Sequence, residues 1–146
     1  MNFSGKGTGR KRIQYAALPY RVNGDARPEV MLVTSRETRR WIIPKGWPHR
    51  GKTPRQSAAC EAFEEAGVVG AVGRRPIGSF SYRKQLKRGV VVDCEVRVFA
   101  LKVKRQCKSW PEQGQRRSAW HAPGDAARLI REPHLRQIIR KFAERG

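Results

Sequence analysis

Three of the chain's twelve acidic residues, Glu61, Glu64 and Glu65, fall within five positions of a sequence that carries 32 Lys and Arg. Their neighbours prescribe a helix. Thr53 is a good N-cap and Pro54 suits the first helical position, where a missing N–H costs nothing. Ser57-Ala58-Ala59 favours helix, and Gly67 is the residue expected just past its end. Residues three and four apart share a helix face, so Glu61 meets both Glu64 and Glu65. Ala59, Ala62, Phe63 and Ala66 recur at i, i+3, i+4 and i+7. That spacing predicts an apolar face on them and a separate face of carboxylates.

Such a face opposes folding unless something neutralises it. Two charges about 6 Å apart repel by about 2–3 kcal/mol at an effective dielectric near 20. The helix C-terminus also disfavours anions. Surrounding Lys and Arg can supply the counter-charge, leaving an ordinary solvated acidic face. The alternative is a hard divalent cation, and Mg²⁺ accepts a few carboxylates together with water and phosphate oxygens.

The stretch from Gly46 to Val68 resembles the Nudix box, a glycine followed at fixed intervals by an acid and an Arg-Glu-aliphatic-x-Glu-Glu-x-Gly-aliphatic run. Gly46, Glu61, Ala62, Glu64, Glu65, Gly67 and Val68 fall in register. Two positions depart: Lys52 stands where the pattern has Glu, and Cys60 where it has Arg. In the family those side chains can pair and steady the loop, so losing both leaves neither charge orphaned. A looser similarity covers about Lys11 to Phe142. It rests on Trp41-Ile-Ile-Pro-Lys-Gly-Trp-Pro48, Tyr82-x-Lys84, Trp110-Pro-Glu112 and Trp120, and it resembles bacterial relatives of diphosphoinositol polyphosphate phosphohydrolases.

A length of 146 residues suits one domain. Residues 1–12 read as a disordered basic tail, and 13–146 as that single domain. Ile13–Val22 is a strand interrupted at Pro19, and Glu29–Thr34 a buried strand after the turn at Asn23-Gly24-Asp25. Trp41–Pro44 is a short apolar segment leading directly into Lys45-Gly46. Val68–Val72, Ile77–Lys84 and Val90–Val103 read as further strands. Val90, Val92, Cys94, Val96, Val98 and Ala100 alternate onto one face, with Val91, Asp93, Glu95 and Arg97 on the other. After a basic loop over 104–117 come a short strand at 118–121 and a helix near Gly124–Ile130. The last helix starts at Pro133, with Leu135, Ile138, Ile139 and Phe142 as its stripe. This order predicts an α/β fold, a mixed sheet with helices on both faces. The resemblance implies the same arrangement, an α/β/α sandwich with a loop–helix–loop motif.

The net charge of +20 attracts polyanions, whether nucleic acid, polyphosphate or an acidic membrane surface. No apolar run approaches the ~20 residues of a membrane span. The N-terminus lacks the apolar core of a signal peptide, and a cytoplasmic location is expected. Cys60, Cys94 and Cys107 are scattered and odd in number, against a disulfide framework or a zinc site.

The resemblance implies a hydrolase that cleaves a phosphoanhydride with Mg²⁺ or Mn²⁺. Carried over by position, Glu61, Glu64 and Glu65 are the metal ligands, with the Gly46 carbonyl beside them. Glu112 is a further candidate acid. Lys45, Arg50, Lys52 and Arg55 are candidate phosphate contacts, with Tyr82 and Lys84 as further substrate contacts. The family's substrates imply a nucleoside diphosphate linked to a further group, a dinucleoside polyphosphate or a diphosphoinositol polyphosphate. Two other readings stay open: a basic binding module for nucleic acid or another polyanion that has lost catalysis, and an RNA 5′-pyrophosphohydrolase. The sequence leaves the oligomeric state undetermined.

Overall fold

Two long strands organise a sheet of eight strands in the computed structural model, which describes residues 11–144. Strand β1 (Arg12–Val22) runs parallel to β7 (Val91–Gln106), pairing Arg12–Tyr20 with Cys94–Lys102. Each has two successive partners on its outer edge. β1 pairs first with β4 (Lys45–Gly46) and then with β2 (Pro28–Thr34), both antiparallel. β7 pairs with β6 (Gly78–Gln85) and then with β5 (Val68–Val72). β3 (Trp41–Ile42) and β8 (Ser118–His121) flank β2.

Pro19 does not interrupt β1. The Ala17 N–H points outward to the Pro44 carbonyl at 3.0 Å. Alternation therefore turns the Pro19 nitrogen outward too, beyond the last β1–β2 pair at Tyr20–Val30, where no ladder donor is needed. β7 likewise outruns its expected end at Val103. Its last turn of register pairs Gln106 with Val68, so the following loop starts at Cys107. Of the tail expected over 1–12, residues 1–10 lie outside the described residues, and Arg12 already belongs to β1.

Helices cover both faces. On one, α2 (Pro123–Leu129) and α3 (Pro133–Glu144) bury Ile130, Leu135, Ile138, Ile139 and Phe142 against Leu18, Leu32, Val96 and Val98. On the other, α1 (Pro54–Ala66) sets Ala58, Ala62 and Ala66 against Ala17, Met31, Phe99 and Leu101. Cys94, Val96 and Val98 fill the expected face of β7, while Phe99 and Leu101 fill the opposite one where α1 crosses. Lower on that strand, the second face carries the Arg97–Glu95 and Arg83–Asp93 ion pairs. Among the described residues no helix is long and apolar enough to cross a membrane.

Candidate metal centre

α1 begins and ends where its sequence dictates. The Thr53 hydroxyl accepts the Gln56 N–H, and the Gln56 side chain accepts the Thr53 N–H at 2.9 Å. Gly67 closes the helix in the left-handed region at φ 69°, its N–H bonded to the Phe63 carbonyl. The packed face differs from the expected one. Ala58, Ala62 and Ala66, at i, i+4 and i+8, are buried, with Ala59 and Phe63 only half-buried. This rotation carries two glutamates inward. Glu61 is 8 % and Glu65 6 % exposed, so the carboxylates border the core rather than occupy a separate solvated face. Alanine methyls let the helix approach the sheet closely enough for that. Gly46 completes the fit, because a Cβ there would overlap the Glu61 carboxyl.

The loop before α1 brings in a residue that sequence reasoning did not single out. His49 places Nε2 2.6 Å from Glu61 Oε2, and its backbone N–H bonds to Ser57 Oγ at 2.9 Å. Ligand atoms of His49, Glu61 and Glu64 all lie within 4.8 Å of one another. Glu64 is raised above the ordinary carboxyl range by burial, then by the charges of Glu61 and Glu112. Burial pushes Glu65 up to about 8, aided by Glu61 and opposed by Arg116 and Lys45. Glu65 Oε1 is buried without a hydrogen-bond partner.

Arg116 is the second unforeseen member. Its buried guanidinium bonds Glu112 at 2.7 Å and the Thr34 carbonyl at 3.1 Å, and stands 3.7 Å from Glu65. Glu112 therefore joins the cluster, helped by its own N–H, which bonds the Glu64 carbonyl at 3.0 Å. Lys45 is part of the sheet, on β4 beside Gly46, within electrostatic reach of Glu65. Its ammonium sits 5.0 Å over the Tyr82 ring, and burial lowers it to about 8 against the pull of Glu65. Tyr82 donates to Gln14 Oε1 at 2.7 Å, and burial raises its phenol above its ordinary range. Lys84 is half-buried, and its charge further depresses Lys45. Arg50, Lys52 and Arg55 are exposed. Two surface clefts of about 450 and 360 Å³ share Ile77 and Phe142 on the α3 face, and neither is lined by His49 or the α1 glutamates.

The NUDIX domain profile matches residues 12–142, from the first described strand to the last helix. The chain belongs to the Nudix hydrolase family. It is 32 % identical over 119 residues to a protein of Arabidopsis thaliana named Nudix hydrolase 12, mitochondrial, covering 78 % of this chain and 58 % of that one. It is also 32 % identical over 105 residues to diphosphoinositol polyphosphate phosphohydrolase 3-beta of Bos taurus, covering 70 % and 60 %. This chain thus spans less than two thirds of the length of either relative. Among solved structures, the Ap4A hydrolase of C. elegans in a binary complex shares the fold, with a TM-score of 0.66 at 19 % identity. That likeness covers 91 % of this chain and 96 % of the other.

Nudix hydrolases generally use a divalent metal, and the donor set here fits one. Oxygen donors predominate, Glu65 Oε1 has no other partner, and the cradle at Gly46 has no room for a side chain. The departures at Lys52 and Cys60 do not leave the Nudix loop unbraced. Lys52 turns to solvent while Ser57 and Glu61 hold His49, a fastening that the sequence signals only as a histidine inside the box. Arg116 had no such signal, being one cation in a basic loop.

Proposed function

We propose that this chain is a Mg²⁺- or Mn²⁺-dependent hydrolase that cleaves a phosphoanhydride in a polyphosphorylated small molecule. The substrate class is a nucleoside diphosphate linked to a further group, a dinucleoside polyphosphate or a diphosphoinositol polyphosphate. The observation that carries this reading is the convergence of His49, Glu61 and Glu64 within 4.8 Å on a loop–helix in the family's register. Glu61, Glu64 and Glu65, with the Gly46 carbonyl, would hold the metal. When bound, the ion neutralises phosphoryl charge and acidifies water. Glu112 and the carboxylates of α1 are the groups available to accept a proton from attacking water. Arg116 fixes Glu112 and Glu65 in place. Lys45, Lys84 and the exposed Arg50, Lys52 and Arg55 present cations to the substrate's phosphates, and Tyr82 supplies a ring beside them. The names of the bovine and C. elegans proteins specify polyanionic substrates, and a net charge of +20 suits that class here. Three free cysteines fit a reducing compartment such as the cytoplasm.

A second reading, a polyanion-binding module, draws on the same charge and on Lys52 and Cys60 replacing the family's acid and base. Any nucleic-acid binding is then electrostatic and falls steeply with salt. One assay separates the two. Released phosphate and mononucleotide are measured across nucleoside-diphosphate conjugates, dinucleoside polyphosphates, diphosphoinositol polyphosphates and 5′-triphosphorylated RNA, with and without Mg²⁺ or Mn²⁺. Metal-dependent turnover on one small-molecule class is expected. No turnover on any of them, with a melting temperature indifferent to millimolar metal, would leave the binding module.

A further inference from the structure

The metal-binding positions of the family's box are carboxylates, yet Glu61 is hydrogen-bonded to an imidazole. His49 Nε2 lies 2.6 Å from Glu61 Oε2, in the space it shares with a Glu64 carboxylate oxygen. That contact is not its sole anchor. The His49 N–H bonds Ser57 Oγ at 2.9 Å, and the His49 carbonyl accepts the Lys52 N–H at 3.0 Å. These bonds bring the loop that carries the ring beside the carboxylates. A separate observation lies on the same helix. Glu65 is 6 % exposed, lies against Glu61, and leaves Oε1 without a partner.

We propose that His49 is a nitrogen ligand of the metal centre and tilts its preference from Mg²⁺ toward Mn²⁺ and other first-row transition ions. This rests on the metal-dependent reading above and adds the identity of one ligand to it. Mg²⁺ is served by oxygen donors and retains water. Imidazole strengthens binding of first-row transition ions, least for Mn²⁺ and more strongly along the Irving–Williams order, and does little for Mg²⁺. Three carboxylates alone would leave the two ions separated mainly by size. A ring nitrogen at Glu61 adds discrimination by chemistry.

Metal-stripped wild-type chain and His49→Phe are titrated with Mn²⁺, and free Mn²⁺ is followed by continuous-wave electron paramagnetic resonance. Mg²⁺ is measured by competition. Pulsed measurements on the Mn²⁺-loaded proteins read nitrogen coupling, and melting curves without metal check the fold. Phe keeps a ring, and the main-chain bonds that place the loop remain. The wild type is expected to show imidazole nitrogen coupling that disappears in His49→Phe, where His121 and His134 remain. The variant should bind Mn²⁺ at least about tenfold more weakly, with Mg²⁺ weakened by less than about threefold. Bound Mn²⁺ without nitrogen coupling overturns the ligand role while leaving the metal-dependent reading intact. Equal weakening of both ions also overturns it, and reduces His49 to a support for Glu61. Failure of the wild type to bind Mn²⁺ at millimolar concentration overturns both readings.

Discussion

Helices α1 and α3 cover opposite faces of the same sheet, are of similar length, and bury very different things. α3 inserts Leu135, Ile138, Ile139 and Phe142. α1 inserts three alanines and takes Glu61 and Glu65 down with them. Burying a Leu, Ile or Phe side chain stabilises by about 1.5–3 kcal/mol, whereas a buried carboxyl costs free energy unless it is partnered. The two helices thus divide the work. One contributes apolar burial to the fold, and the other accepts thin packing to gather carboxylates.

The sharpest way to break the comparison is to remove charge from α1. Glu65→Gln keeps the shape of the side chain. It should lower metal-dependent turnover by about a hundredfold or more, with the metal-free melting temperature unchanged or raised. A small loss of kcat would place Glu65 outside the chemistry. The opposite change belongs to α3. Ile139→Ala should destabilise by about 2–5 kcal/mol in denaturant unfolding, with kcat per folded molecule kept within about twofold. If that substitution cut kcat as deeply as Glu65→Gln, the division between the helices would fail.

Solution pH sharpens the contrast next. Folding raises the Glu65 carboxyl from about 4.5 to about 8 through burial, so between those values the folded state holds a proton that the unfolded chain has released. Metal-free protein should therefore lose stability as pH rises from 4.5 to 8, and Glu65→Gln should show a shallower decline in melting temperature. A wild-type curve as shallow as the variant's would contradict the assigned burial. The smallest effect is expected at Cys60. It is half-buried in α1, and Lys52 offers a new cation no partner. Cys60→Arg should change kcat/KM by less than about threefold. A large gain would mean that the native site is impaired, and would favour the binding-module reading.

The same contrast explains which features are legible in the sequence. α3 was fully legible because large aliphatic residues at helical spacing have one sensible destination. The ends of α1 were equally legible from Thr53, Pro54 and Gly67. Its rotation was not. Alanine gives so weak a hydrophobic signal that Ala59 and Phe63 competed with Ala58, and charge argued for placing glutamates outside. Fixed spacing identified the box and its three glutamates, because the chemistry demands particular side chains at particular intervals. His49 and Arg116 escaped for a different reason. Their contacts depend on how a loop folds back, and Arg116 crosses 51 positions to meet Glu65. No periodicity encodes that.

Position 112 carries a consequence for how such a site can change. Its place beside α1 is secured partly by main chain, through the bond from its N–H to the Glu64 carbonyl, and the adjoining loop is tied down by Cys107 N–H on the Gly67 carbonyl. A main-chain fastening is indifferent to the side chain it presents, proline excepted. The main chain would carry another side chain to the same place, but it would have to satisfy the buried Arg116 guanidinium that Glu112 now meets at 2.7 Å. Descendants of this sequence, or a designer, would vary the chemistry there by changing positions 112 and 116 together while the main chain continues to aim the loop.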